Sequence, residues 1–185
     1  MKVAYLDIET NYVGKYSPSD DRFFRDSKNH LITVLGVRIL GQGDDEFTQL
    51  VSEDVTKRAL VQVFQGVGRV VTYNGRSIPD ALKGKVGFDF PVIAAQLGIV
   101  VDREFDHLDL VPECWKRGLY GGQKKVEETL GLRRQLPGKD GAWAMEAWRK
   151  YLNSRERKYL DDLLAYNRED VFMLREIEMG LERLR

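Results

Sequence analysis

The sequence has a single cysteine, no long apolar run and no net charge, and these shortages exclude several classes of protein. Cys114 has no partner within the 185 residues, so a disulfide scaffold is excluded and an oxidising compartment is disfavoured. No apolar run approaches the roughly 18 residues that a membrane span requires. Near the amino terminus, Asp7 and Glu9 interrupt any signal-peptide core. We therefore expect a cytoplasmic protein that does not bind membranes.

The composition that remains is that of one ordinary folded unit. Hydrophobic residues make up 43% of the chain and charged residues 31%, without repeats or low-complexity segments. A chain of this length buries enough apolar surface to fold without a crosslink or a metal. We predict that residues 1–185 form a single domain, which acts as a monomer, and that any metal bound to it has a functional role.

The charges balance over the whole chain but not along it. Residues 116–158 contain 12 basic and 5 acidic residues, a net charge of +7, so the remainder carries −7. A basic region of this size is suited to holding a phosphate backbone. A single cluster such as residues 155–158 is better interpreted as a solvated helix face, so only the asymmetry as a whole favours a nucleic-acid partner.

The first part of the chain has the alternating and β-branched patterns of strands. We predict five strands, at residues 2–9, 30–40, 46–51, 69–73 and 105–110. The first three follow one another without a helix, which predicts antiparallel pairing, and a helix at 53–65 precedes the fourth. The polar residues 11–29 predict a long mobile loop.

Helical patterns dominate the remainder. They predict helices at 89–97, 111–117, 123–130 and 143–152, and a long last helix from residue 155. The last helix has one apolar stripe, formed by Leu160, Leu163, Leu164, Val171, Leu174, Ile177, Leu181 and Leu184. We expect this stripe to pack on the sheet. The predicted fold class is α/β, a five-stranded mixed sheet with three antiparallel strands first, flanked by helices.

Two acids at the end of the first strand are unusual for a covered sheet. Asp7 and Glu9 alternate with Leu6 and Ile8, which places both carboxylates on one face. Like charges about 6 to 7 Å apart in a half-buried setting repel and lose hydration. A divalent cation would compensate for both effects, so the pattern indicates a metal site.

Three further residues have two open interpretations each. Tyr166 and Asp170 are four positions apart in the last helix and lie on one face of it. Taken singly, Tyr166 is an ordinary core aromatic and Asp170 a surface helix acid. Asp89, between Phe88 and Phe90 at a helix start, is on local grounds equally a helix cap or a metal ligand.

If the helices pack across the sheet, the four acids converge. Carboxylate oxygens are hard ligands, which suit Mg²⁺ or Mn²⁺. Two such ions about 4 Å apart stabilise both the attacking and the leaving oxygen in displacement at phosphorus. The sequence therefore predicts two Mg²⁺ or Mn²⁺ ions and hydrolysis of phosphodiester bonds.

Four motifs in this order resemble those of the ribonuclease-H-like DEDD exonucleases. They are Tyr5-Leu-Asp7-Ile-Glu9-Thr10, Thr72-Tyr-Asn74-Gly75 with Phe88-Asp89, His107-Leu-Asp109-Leu, and Leu164-Ala-Tyr166-Asn-Arg-Glu-Asp170-Val. The resemblance runs from about residue 3 to residue 174. It is closest to predicted exonucleases similar to the proofreading domain of family B DNA polymerases, and it implies a ribonuclease H-like fold.

The resemblance also implies a function and a set of roles. It implies a 3′-to-5′ exonuclease of the tyrosine subtype, since the histidine subtype needs His where Ala165 stands. The residues that match the family's metal ligands are Asp7, Glu9, Asp89 and Asp170, and Tyr166 matches the residue that orients the attacking water. A structure-selective endonuclease on the same fold, or a catalytically silent nucleic-acid-binding module, remains the alternative.

One departure from the family pattern lies between the second motif's two parts. Residues 76–87 intervene before Phe88-Asp89, which makes Asp80 a competitor, although its surroundings do not match the motif. This insertion is either a substrate-contacting flap or, more simply, a tolerated surface loop.

Substrate contacts are expected at the ends of the motifs and in the basic region. We assign them to Thr10, Asn74 and Gly75, and to Lys124 and Lys125 at a helix start that follows two glycines. Aromatic residues in this part of the chain offer stacking surfaces for bases, although most are expected in the core. The expected partner is single-stranded DNA or RNA, held at its 3′ end, with DNA favoured.

Overall fold

The computed structural model describes residues 1–13, 26–41, 43–77 and 87–184 and contains one five-stranded sheet. Its strands are β1 (Lys2–Tyr12), β2 (His30–Leu40), β3 (Asp45–Val51), β4 (Val67–Thr72) and β5 (Asp106–Asp109), in the order β3-β2-β1-β4-β5. The pairs β1–β2 and β2–β3 are antiparallel, whereas β1–β4 and β4–β5 are parallel. The predicted mixed sheet is therefore confirmed.

Seven α-helices are present in the described ranges. They are α1 (Lys57–Val63), α2 (Asp89–Leu97), α3 (Val101–Glu104), α4 (Leu110–Lys116), α5 (Gln123–Thr129), α6 (Gly141–Ser154) and α7 (Arg157–Arg183). Short 3-10 turns occupy Ser27–Asn29 and Ser52–Asp54. Among the described residues, no helix is long and apolar enough to cross a membrane.

The two faces of the sheet are covered by different helices because β1 alternates. Leu6 and Ile8 pack with residues of α1, α2 and α3 on one face. On the other face, Tyr5 and Val71 pack against α4, α5 and α7. Helix α6 packs on α7 beside Val34, which extends the cover on this second face. The resulting order of layers is helices, sheet and helices.

Helix α7 lies across the second face, as its apolar stripe predicts. All stripe residues are buried or half-buried except Leu184, which is 54% exposed at the end of the helix. Gly36 of β2 permits the close approach, since a Cβ there would lie 2.3 Å from the Oδ1 atom of Asn167. The absence of a side chain at Gly36 lets α7 reach the strands that carry the acids.

Several elements differ in extent from the sequence prediction. The helix predicted at 53–65 is shorter, because Ser52–Asp54 forms a separate turn and the Thr56 hydroxyl caps α1. The one-turn helix α3 was not predicted, since four residues are too few for a periodic pattern. The loop predicted at 11–29 is wrong at both ends, because Asn11 and Tyr12 continue β1 and Ser27–Asn29 forms a 3-10 turn. Residues 14–25 of that loop lie outside the described residues, as do Asp80, Lys83 and Lys85 of the insertion.

Candidate active site

Strand β1 presents Asp7 and Glu9 on the face covered by α7. Glu9 is 6% exposed and Asp7 is half-buried. The Asn167 side chain donates to Oδ2 of Asp7 at 3.0 Å, which joins the strand to α7. Next to Glu9 the register of β1 on β2 shifts, and Thr33 of β2 donates its hydroxyl to the Glu9 carbonyl oxygen at 3.1 Å. Irregularities of this kind re-aim side chains beside active sites.

Helix α7 brings Asp170 to these two acids. One carboxylate oxygen each from Asp7, Glu9 and Asp170 lies within 4.8 Å of the others. Asp170 is 7% exposed, and Tyr166, one turn earlier, is 3% exposed. The interpretation of Asp170 as a surface helix acid is therefore wrong, because the residue faces inward. The convergence of strand and helix acids that the sequence analysis requires is present for these three.

Asp89 lines the same cavity from α2, a helix that covers the first face of the sheet. It is the first residue of α2 and is 6% exposed, while Phe88 holds the N-cap position without a side-chain capping bond. The position of Asp89 therefore differs from that of a helix cap. Its carboxylate lies outside the tight group of three, but it lines the cavity together with Asp7 and Glu9.

The cavity is large enough to admit part of a polymer chain. Its volume is about 960 Å³, and its walls come from β1, α2, α4, α7 and the segments at 73–74 and 121–123. Asp7, Glu9, Asp89, Tyr166 and Asp170 all line it. Every residue to which the sequence analysis gave a catalytic role therefore faces one common space.

Burial makes the charged forms of these acids costly. It is the main cause that raises the pKa of Asp7 and of Glu9 well above the usual range, and the neighbouring carboxylates raise both further. Burial and the charge of Asp7 also raise the pKa of Asp89 well above its usual value. The pKa of Asp170 is raised by burial, with Arg134 and Lys124 opposing the shift. The site accordingly favours a bound cation.

Lys124, which lies near the start of α5, contacts Tyr166. Its Nζ atom donates to the Tyr166 hydroxyl oxygen at 2.5 Å and lies 4.5 Å from the centre of the same ring. Burial and the charge of Asp170 raise the pKa of Tyr166, so the phenol stays protonated. The hydroxyl is thus held as a neutral donor beside the acids.

Arg134 is a site residue that sequence reasoning missed. Its guanidinium forms an ion pair with Oδ1 of Asp170 and hydrogen bonds with the Glu127 carboxylate. Glu127 is 1% exposed. The excess of basic residues at 116–158 includes Arg134, but no local pattern distinguishes it from its exposed neighbour Arg133.

The proposed substrate residues fall into two groups. Asn74 lines the cavity with a left-handed backbone (φ 68°), whereas Lys124 lines a smaller adjacent cavity that shares Tyr166 with it. Lys125 lines this smaller cavity as well and pairs with Glu128 at 3.2 Å. The Thr10 hydroxyl is instead buried against His30 at 3.1 Å. The nitrogen of Gly75 donates to the Thr72 hydroxyl at 3.1 Å, so this residue shapes the loop beside the cavity.

Aromatic residues also divide between the cavity and the core. Trp115 and Tyr73 line the cavity, where they offer flat surfaces. Trp148 is 4% exposed in the core, and Trp143 packs on the Tyr166 ring with centres 5.5 Å apart. Tyr120 is 68% exposed.

The donor set fits a divalent metal ion. Three carboxylates within 4.8 Å, desolvated and next to a fourth, offer the oxygen ligands that Mg²⁺ and Mn²⁺ prefer. Without a cation, the negative charges of these clustered carboxylates repel one another. Asp7, Glu9, Asp170 and Asp89 are the residues that would hold the metal.

Comparison with known proteins identifies the family. A model of the RNase H superfamily matches residues 4–181, nearly the whole chain. Among curated proteins no match was found. The family supports a nuclease that uses divalent metals and acts on nucleic acid, in agreement with the acid cluster. The mixed sheet, the position of the acids and the family match together show that the chain belongs to the RNase H superfamily.

Proposed function

We propose that this chain is a 3′-to-5′ exonuclease of the DEDD tyrosine subtype, which hydrolyses phosphodiester bonds of single-stranded nucleic acid by a two-metal-ion mechanism. DNA is the favoured substrate. The observation that carries the proposal is the meeting of Asp7, Glu9 and Asp170 within 4.8 Å, in one cavity with Asp89 and Tyr166. The resemblance of the ordered motifs to that subtype supports the direction of cleavage.

The four acids would share the holding of two divalent ions. Asp7 and Asp170 would hold one ion, and Glu9 and Asp89 would complete the site for the pair. Two such ions would stabilise the attacking and the leaving oxygen of the displacement at phosphorus. Asn167 fixes Asp7 for this role through the 3.0 Å hydrogen bond to Oδ2.

Tyr166 and Lys124 act on the nucleophile and the phosphate. The raised pKa of Tyr166 keeps its hydroxyl protonated, so the hydroxyl orients the attacking water as a donor without removing its proton. Lys124, 2.5 Å from the same oxygen, fixes the direction of that hydroxyl and adds positive charge for the substrate phosphate.

The wider cavity receives the terminal nucleotides. Asn74 supplies a polar contact at the rim, and Trp115 and Tyr73 offer stacking surfaces for bases. Stacking tolerates every base, which suits an enzyme that removes nucleotides one after another without reading sequence.

Cleavage of 5′-labelled single-stranded DNA, with RNA, duplex and junction substrates in parallel, tests the proposal. With Mg²⁺ or Mn²⁺ we expect a ladder of products shortened from the 3′ end, and none with EDTA. Asp7→Asn and Asp170→Asn should abolish the ladder. Asp161→Asn is the matched control, because Asp161 is an exposed acid on α7 that pairs with Arg157.

The other outcomes distinguish the alternatives. A discrete internal cut would indicate a structure-selective endonuclease, and binding without cleavage would indicate a silent binding module. Full activity in both Asp7→Asn and Asp170→Asn would defeat the assignment of the site.

A further inference from the structure

A buried ion network lies directly behind Asp170. Arg134 contacts Glu127 through two hydrogen bonds, Nε to Oε2 at 2.5 Å and Nη2 to Oε1 at 2.7 Å. Glu127 is 1% exposed, and the Arg134 side chain is 8% exposed. A bidentate contact of this kind fixes the guanidinium plane.

The same guanidinium reaches the candidate metal ligand. Its Nη2 atom forms an ion pair with Oδ1 of Asp170, so a single nitrogen joins Glu127 to Asp170. Gln123 donates its side-chain amide to the backbone oxygen of Asp170 at 3.0 Å, which holds that turn of α7 from the same side. Asp170 is therefore constrained at both its carboxylate and its backbone.

The segment that carries Arg134 is itself fixed to α7. The Glu169 carboxylate accepts from the backbone nitrogens of Gln135 and Leu136, the latter at 3.2 Å. Nη1 of Arg134 lies 3.7 Å from Oε2 of Glu169. Arg134 is consequently attached to the helix at the residue that directly precedes Asp170.

This inference rests on the proposed function: we propose that Arg134 is a positioning residue, which orients the Asp170 carboxylate for metal binding through its ion pair with Oδ1. A lone carboxylate can rotate and can ligate through either oxygen or both. The fixed guanidinium removes that freedom before the metal arrives. Residues that orient a ligand in this way contribute about 10- to 100-fold to metal affinity.

Simple stabilisation does not explain the network equally well. A buried ion pair is often no more stable than apolar residues of the same volume. If the network only stabilised the fold, an ion pair between Glu127 and Arg134 would be enough. Arg134 also contacts Asp170, a candidate metal ligand. A loss of metal affinity in a variant that remains folded separates the two explanations.

Mn²⁺ binding to the full chain, measured by calorimetry, tests the inference. In Arg134→Lys an ammonium cannot contact Glu127 and Asp170 with the geometry of the guanidinium. We expect its Mn²⁺ affinity to fall by about tenfold or more. Arg133→Met, the exposed neighbouring arginine, should bind Mn²⁺ as the unchanged chain does.

A double variant distinguishes an effect on metal binding from a loss of folding. Removal of Arg134 alone leaves Glu127 as an uncompensated buried charge, whereas Glu127→Met with Arg134→Met removes both charges. The double variant should also lose about tenfold or more in Mn²⁺ affinity. Its nuclease activity should recover as the Mn²⁺ concentration is raised, which a purely structural defect would not show.

The outcomes are distinguishable. Unchanged or tighter Mn²⁺ binding in Arg134→Lys, or in the folded double variant, would overturn the positioning role and leave the proposed function intact. If the chain without substitutions binds no Mn²⁺, both the positioning role and the proposed function are overturned.

Discussion

At the scale of single residues, the site is a balance between buried acids and two basic side chains. Asp7, Glu9, Asp89 and Asp170 share a cavity, while Lys124 contacts Tyr166 and Arg134 contacts Asp170. Two basic residues of segment 116–158 thus contact residues of the site directly. Arg134 also pairs with the Glu127 carboxylate, so the acids outnumber the basic side chains, and divalent ions would neutralise the excess negative charge.

The contact between Lys124 and Tyr166 predicts that the two residues act as one unit. Tyr166→Phe removes the hydroxyl but keeps the ring, which packs on Trp143 and under the Lys124 ammonium. We expect an unchanged melting temperature and a fall in kcat of about 10²-fold. Lys124→Met should also lower kcat, because the hydroxyl loses the group that directs it.

A double-mutant cycle checks this coupling. If Lys124 acts through Tyr166, the variant that carries both changes should be little slower than Tyr166→Phe alone. Lys158→Met, an exposed lysine on the same helix as Tyr166, is the control. Multiplied effects of the two single changes would show that they act independently.

At the scale of elements, α7 carries two of the five candidate catalytic residues on one face. Tyr166 and Asp170 face the cavity, and Asn167 beside them is fully buried between the helix and the sheet. The Asn167 amide donates to Asp7, and its oxygen accepts from Gln49 of β3 at 2.9 Å. One side chain therefore joins the helix to both β1 and β3.

Asn167→Ala should test that junction. The change leaves polar groups of Asp7 and Gln49 without this partner, so we expect a loss of about 1–3 kcal/mol in the free energy of unfolding. Urea unfolding with EDTA measures it. Asn153→Ala, at an exposed position of α6, should change stability far less. Equal losses in the two variants would contradict the role given to Asn167.

The elements that carry the acids were predictable because their patterns are local. Alternation in β1 separated Asp7 and Glu9 from Leu6 and Ile8, and the structure confirms the two faces. The apolar stripe predicted which face of α7 packs on the sheet. Gly98 ends α2 in the left-handed conformation (φ 67°), in agreement with the helix predicted at 89–97.

The parts that escaped prediction depend on contacts between distant segments. Arg134 follows α5 in the chain, and nothing near it indicates Asp170, 36 positions later, as its partner. The burial of Thr10 against His30 likewise depends on the pairing of β1 with β2. Such pairs become visible only when the sheet and α7 are assembled.

At the scale of the whole molecule, the buried acids couple stability to pH. Their folded-state pKa values are raised, with burial as the first cause, whereas in the unfolded chain these carboxyls titrate near pH 4. Above about pH 4 the unfolded state therefore releases protons that the folded state retains. By linkage, this contribution to stability falls as the pH rises through the raised folded-state pKa values.

Metal binding should reverse that loss, and more strongly at higher pH. A divalent ion displaces the retained protons, so its affinity rises with pH. At a free concentration of about 100 times its dissociation constant, the ion stabilises the folded state by about 2.7 kcal/mol.

Thermal melts with Mg²⁺ or EDTA should show a larger metal-induced rise in melting temperature at about pH 8 than at about pH 6. Asp170→Asn should reduce the rise, since it removes one of the clustered carboxylates, whereas Asp161→Asn should keep it. A rise of the same size at both pH values would show that the ion binds away from the protonated acids.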